Sequence, residues 1–198
     1  MQRLYFGGSF NPPHLAHIRC CAAAAVAIGL DGVVLVPTGR SALKDEADIA
    51  PAADRLAMTR LAAAAADAAV PFDVDDLEIT RTGTSYTVDT VTALRAKGVS
   101  PVHWLIGADQ LLNLHRWHRV ETLLQLAHFH VMCRPGYEIN WTTLDARVRA
   151  LQRNVVAVPQ MDISGTDIRR RLRAGQSIEG RVAPSVREYL LDRRLYIQ

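Results

Sequence analysis

The chain has 198 residues, 49% of them hydrophobic and 22% charged, enough apolar material for one sizeable core. Its net charge of +3, from 23 basic and 20 acidic residues, suits an anionic small ligand and lacks the block of basic residues that marks a nucleic-acid surface. Cys20, Cys21 and Cys133 form no C-x-x-C pair, which argues against disulfides or structural zinc and for reduced thiols in the cytoplasm, and the longest apolar run, CCAAAAVAIGL, is too short to span a bilayer.

Apolar strand-like runs alternate with helical patterns along the whole chain. Residues 4–6 read as a strand, and residues 15–28 as a helix stopped by Gly29. The β-branched run VVLVP (33–37) is a second strand, followed by a polar loop, TGRSALKDEAD. A helix opening on a proline follows in PAADRLAMTRLAAAAADAA, and FDVDD near Phe72 is a third strand. SYTVDTVTALRAKG reads as a helix ending at Gly98, VHWLIG (102–107) as a strand, and ADQLLNL as a helix straight after it. The strands HFHVMCR (128–134) and VVAVP (155–159) come next, then helices in SGTDIRRRLRAG and over 184–191. This alternation predicts one α/β domain over 1–198: a Rossmann-like, open, twisted parallel sheet with helices on both faces. Ligands then bind beyond the carboxyl ends of the strands, so the loops after Phe6, Val36, Ile106, Val131 and Val158 are the candidate walls of the site.

Those loops carry the chemistry. Gly7, Gly8 and Ser9 follow the first strand, and residues this small let backbone N–H groups approach a phosphate. His14 and His17 lie three apart at the start of the next helix, so both imidazoles can face one spot near a helix N-terminus. Such a pair suits neutralising charge on a transferring phosphoryl group. A second constellation, ISGTDIRRRL, offers Ser164 as a helix cap with Asp167 three residues on, Thr166 as a hydroxyl donor, and Arg169 as a bidentate anion ligand. Taken singly, the first is explained as a tight strand-to-helix turn with exposed histidines and the second as an ordinary capped amphipathic helix; two phosphate-type sites at one sheet edge point to a triphosphate. Asp109 after the fourth strand can accept ribose hydroxyls, and Lys44 can reach an anion from the second loop.

The segments GGSFNPPHLAH and ISGTDIR resemble the H-x-G-H and I-S-S-T-x-I-R signatures of the nucleotidyltransferase superfamily. SYTVDT, LIGADQLLNLHRWHRVETLL and CRPGY are similar in order and spacing to the bacterial nicotinate-nucleotide adenylyltransferases within it. This resemblance implies in-line attack of nicotinate mononucleotide on the ATP α-phosphate, with Mg²⁺, giving nicotinate adenine dinucleotide and pyrophosphate in NAD biosynthesis. It implies ATP contacts at Gly8, Ser9, Phe10, His14, His17, Gly107, Asp109, Ser164, Thr166 and Arg169, with His14, His17 and Arg169 catalytic. It places the mononucleotide at Lys44, Ser85, Tyr86, Thr87, Trp117, His118 and Arg134, with Trp117 stacked on the pyridine ring. The partners implied are small molecules, with neither nucleic acid nor membrane, and self-association stays open.

Four departures from the pattern stand out. Ala16 replaces a glycine, where its methyl narrows the approach to phosphate. Asn11 stands where aspartate is common and removes a charge from a phosphate-facing loop. SALK keeps only Lys44 of the usual loop, and Gly165 removes one phosphate donor. Three rival readings remain. The same chemistry could act on nicotinamide mononucleotide or phosphopantetheine. The chain could be a nucleotide-binding sensor without turnover. An RNA-binding role for RRRLR is disfavoured, because no stacking aromatics are interleaved.

Overall fold

The computed structural model describes residues 1–41, 48–133 and 138–197. In chain order it runs β1 (Arg3–Gly8), α1 (Leu15–Ala27), β2 (Gly32–Pro37), β3 (Arg40–Ser41), α2 (Ala52–Ala64) and β4 (Phe72–Val74). Then come α3 (Leu77–Thr80), β5 (Thr84–Ser85), α4 (Thr87–Ala96), β6 (Val102–Gly107), α5 (Ala108–Leu111) and α6 (Val120–Leu126). The chain closes with β7 (Ala127–Cys133), α7 (Ala146–Arg149), β8 (Val155–Ala157), α8 (Gly165–Arg173) and α9 (Pro184–Asp192).

Six strands form one sheet in the order β4-β2-β1-β6-β7-β8, every neighbouring pair parallel. The α/β architecture expected from the alternation is therefore present. Successive strand residues point to opposite faces, so the central strands β1, β2 and β6 divide their apolar residues between two cores. Leu4, Phe6, Val33, Leu35 and Leu105 face one core, shared with Ile18, Met58, Ile168 and Val186 of α1, α2, α8 and α9. Tyr5, Val34, Val36, Trp104 and Ile106 face the other, shared with Val91, Leu123 and Val148 of α4, α6 and α7. Each such side chain fully buried contributes about 1.5–3 kcal/mol.

The order of strands positions the site. From β1 the chain works outward to β4, then returns to the sheet centre at β6 and works outward the other way. The helices joining β1 and β6 to their successors diverge there, opening a crevice at the carboxyl ends of those two strands.

Two misreadings of local pattern stand out. The polar loop after β2 contains β3, which pairs with β5 through Arg40–Thr84 and Ser41–Ser85 in a separate two-stranded ribbon. A pairing this short, between segments far apart in sequence, leaves no local periodicity to read. The helix expected from ADQLLNL stops after four residues and gives way to a 3₁₀ turn at Leu114–Arg116. Leu111 and Leu114 are both fully buried, and a spacing of three is the period of the tighter turn. Cys20 and Cys21 are buried, and Cys133 is half-buried. Lys44, with the rest of the SALK segment after Ser41, and Arg134 lie outside the described residues. No helix among the described residues is long and apolar enough to cross a membrane.

Candidate active site

A cleft of about 1240 Å³ opens where the carboxyl ends of β1 and β6 diverge. Gly8, Ser9, Phe10, His14 and His17 line it from the first loop and α1, and Gly107 and Asp109 from the end of β6. Ser164, Thr166 and Arg169 reach it from α8. Ser85, Tyr86 and Thr87, with Trp117 and His118, close its far side. Every candidate residue that falls among the described ones thus meets at one cavity.

The first loop is held from behind. Phe10 adopts a left-handed backbone (φ 45°), which costs a non-glycine residue about 1–2 kcal/mol. Its ring is 1% exposed, set against the rings of Phe6 at 5.9 Å and His17 at 5.1 Å, and this burial offsets the strain. Gly7 serves packing more than phosphate approach: a Cβ there would lie 2.8 Å from Trp104 on the neighbouring strand.

The two histidines stack with centroids 3.6 Å apart. The backbone N–H of His14 donates to Nδ1 of His17 at 3.2 Å. That hydrogen bond assigns the ring proton of neutral His17 to Nε2, so the side chain offers a donor whether neutral or charged. The first N–H of α1, at Leu15, is taken by the Arg181 carbonyl at 2.9 Å. The helix start therefore offers an anion fewer donors than the sequence implies.

On the opposite wall Ser164 caps α8, accepting from the Asp167 N–H at 3.2 Å. Asp167 does not complete the reciprocal half of a capping box. Its carboxylate pairs with Arg170, Arg171 and Arg181, and these pairs, Arg170 first, lower it to about 2. Arg169 ties the two signatures together. Its Nη1 donates to the Asn11 carbonyl at 2.8 Å, and its Nε donates to Asp48 at 3.0 Å. Arg173 pairs with the same carboxylate, and the Arg169 bond is the main reason Asp48 sits below the usual carboxylate range.

Two departures in the signatures acquire physical reasons. The Asn11 side chain does not leave a charge missing toward a phosphate; it is 8% exposed and clasped by the protein. Its Oδ1 accepts from the Ala50 N–H at 2.9 Å and from the Tyr196 hydroxyl, while Nδ2 donates to the Asp48 carbonyl at 2.8 Å. Gly165 is where α8 crosses the first loop. A Cβ there would lie 2.9 Å from the Asn11 carbonyl oxygen and 3.4 Å from Nη1 of Arg169. Ala16 is buried at 5% exposure.

At the far side the Tyr86 and His118 rings lie 4.4 Å apart, and Trp117 meets Phe129 edge-on at 6.5 Å. The Trp117 indole N–H is buried with no hydrogen-bond partner among the described residues, an unsatisfied donor beside the cavity. Asp109 is exposed at the mouth, its carboxylate accepting from the Gln110 amide at 3.0 Å. Sequence reasoning missed Glu78, 4% exposed and lining the same cleft. Burial raises its carboxyl, opposed by a 2.7 Å hydrogen bond from the Thr90 hydroxyl.

Comparisons with known proteins agree with this geometry. The cytidylyltransferase-like family matches residues 5–171. A protein of Herpetosiphon aurantiacus described as a "probable nicotinate-nucleotide adenylyltransferase" is 40% identical, over 100% of both chains. A protein of Neisseria meningitidis serogroup B with the same description is 38% identical over 96% of each. Among solved structures, the Plasmodium falciparum nicotinic acid mononucleotide adenylyltransferase complexed with NaAD superposes with a TM-score of 0.74. At 15% identity over 99% of this chain and 98% of that one, it speaks for the fold.

Proposed function

Because this chain belongs to the cytidylyltransferase-like family, and within it to the nicotinate-nucleotide adenylyltransferases, we propose that its cleft joins ATP to nicotinate mononucleotide. The products are nicotinate adenine dinucleotide and pyrophosphate, in NAD biosynthesis. An oxygen of the mononucleotide phosphate attacks the ATP α-phosphorus, and the bond from that phosphorus to the bridging oxygen of the β-phosphate breaks. No covalent enzyme intermediate forms, so the protein's contribution is placement and charge.

His14 and His17 stabilise charge at the α-phosphate, the Nε2–H of His17 serving as a donor. Arg169, with Thr166 and the α8 start capped by Ser164, takes the β- and γ-phosphates, while Gly8, Ser9 and Phe10 line their path. Gly107 and Asp109 receive the adenosine. Trp117 stacks on the pyridine, and Ser85, Tyr86, Thr87 and His118 surround the nicotinate carboxylate. Lys44 and Arg134 assist at phosphates. The observation that carries this reading is the 2.8 Å bond from Arg169 to the Asn11 carbonyl, which joins the two phosphate-type motifs across the cleft.

Magnesium enters on ATP. Among the described residues no group of three or more His, Cys, Asp or Glu is arranged to hold a metal ion. The cleft's imidazole, guanidinium and hydroxyl groups suit a cation already wrapped by phosphate oxygens and water. Bound there, the ion would supply neutralisation of phosphate charge.

The test is pyrophosphate release by the purified protein with ATP, Mg²⁺ and each acceptor at equal concentration. Release with nicotinate mononucleotide above the others is expected. No release with it refutes the assignment, a preference for the amide or for phosphopantetheine moves the chain to the rival acceptor, and ATP binding without any turnover makes it a sensor.

A further inference from the structure

Arg55 sits in the second turn of α2 and is 2% exposed. Among the described residues it pairs with no carboxylate. Four of its five N–H donors go to backbone carbonyls instead. Nη1 donates to Ser9 at 2.8 Å and to Thr38 at 2.7 Å. Nη2 donates to Gly39 at 2.9 Å, and Nε to Ala50 at 3.0 Å. Burial alone lowers its affinity for its proton, so the carbonyl dipoles are what hold the cation inside.

The four carbonyls come from separate pieces of the site. Ser9 belongs to the phosphate-facing loop after β1. Thr38 and Gly39 leave β2 and lead into β3, whose partner β5 holds Ser85, next to Tyr86. Ala50 precedes α2 and gives its N–H to Asn11. Without a cation, oxygens of like partial charge would converge on one buried point and repel. The peptide bond adds an orientation. Its C=O and N–H point opposite ways in a trans plane, so a Ser9 carbonyl drawn to Arg55 turns the Phe10 N–H away from it.

We propose that Arg55 is a positioning residue for adenylyl transfer: its guanidinium fixes the spacing between the ATP-phosphate loop and the segment leading to the acceptor side. The proposal rests on the adenylyltransferase reading. It predicts a particular signature. The groups that bind each substrate stay in place when Arg55 is altered, and only their mutual alignment is lost. Misplacement by about 1 Å costs in-line chemistry on the order of a hundredfold.

Arg55→Lys keeps the charge and donates from a single atom, which cannot span four carbonyls. It is expected to stay folded by circular dichroism, with kcat lowered about tenfold to a hundredfold and KM for ATP and nicotinate mononucleotide each within about threefold. In Arg55→Ala, added guanidinium ion at millimolar concentration is expected to restore at least about a tenth of the lost rate, as an intact fork returns to the vacated site. Wild-type kcat in the folded lysine variant overturns the proposal. So does a kcat loss that only tracks the unfolded fraction, or a folded alanine variant that guanidinium leaves unchanged. If the alanine variant does not fold, the lysine variant decides. A wild-type protein that itself releases no pyrophosphate is a failure of the adenylyltransferase reading, and is separate from these results.

Discussion

Replacing Gly165 by alanine separates two opposing effects whose sizes can be worked out. Alanine is the better helix former by up to about 1 kcal/mol, and less at a first helical position, where one side of the residue is not helix. Against this, the new methyl would stand 2.9 Å from the Asn11 carbonyl oxygen, tighter than real Cβ contacts allow. That oxygen cannot retreat freely. It accepts from Arg169 at 2.8 Å, and its residue is fastened on the other side to Ala50 and Asp48. Overpacking against so constrained a neighbour costs about 1–3 kcal/mol, so the clash outweighs the propensity. A chain of this size loses about 2–4 °C per kcal/mol, giving an expected fall in Tm of about 2–10 °C by thermal circular dichroism. The shift also moves Arg169 off the carbonyl it bonds, so KM for ATP is expected to rise a few-fold while KM for the mononucleotide holds. An alanine variant with unchanged or raised Tm and unchanged KM for ATP would refute the reasoning, because it would mean that the loop yields at no expense.

On the proposed reading His17→Ala removes a donor to the developing charge; kcat is expected to fall about a hundredfold to a thousandfold, with the calorimetric Kd for ATP changed far less. An equal loss in both would make His17 a binding group only. Away from the cleft, Nδ1 of His103 and Nε2 of His130 lie 3.0 Å apart, with the His128 ring 5.5 Å from that of His103. Burial, then the neighbouring imidazoles, lowers His130 to about 4, and burial lowers His103 as well. Between about 4 and 6.5 the unfolded chain holds protons that the folded one refuses, so stability rises with pH there; it is fully present above 6.5 and is lost as pH falls toward 4. At about 1.4 kcal/mol per unit, and allowing for solvent around a half-buried pair, the loss is about 2 kcal/mol. Urea titrations from pH 7 to 4.5 are expected to show it, and His130→Asn is expected to flatten the slope.

How legible the fold was depends on the range of the cause. β2 was readable because a strand buried on both faces is an unbroken apolar run, β6 because only His103 interrupts its run, and α1 because Gly29 (φ 70°) ends it. The phosphate-type motifs were readable for a similar reason: strand-exit turns and helix starts are built from consecutive residues. β3 and β5 were not readable, because each is two residues long and exists only by pairing with the other. In α2, Arg55 and Arg60 look alike in sequence. One is 2% exposed and holds four carbonyls, while the other keeps 57% of its side chain in water and pairs with Asp76. Helical periodicity does not say which arginine the neighbouring loops will enclose.

The sequence by itself determined an alternating α/β chain, the strand-exit loops at the cleft, and the two signatures that line it. Those properties live in hydrophobic period, turn chemistry and capping, which act over a few residues. The tertiary structure alone decided what holds those loops. Arg169 reaches Asn11 across 158 positions, and Tyr196 reaches it across 185. Asn11 consequently acts as a clasp in the protein's interior instead of as a missing charge, and Gly165 as room for a crossing instead of as a lost donor. Buried carbonyls and amides must find partners wherever the fold brings one near, and nothing local to either residue encodes which one that will be.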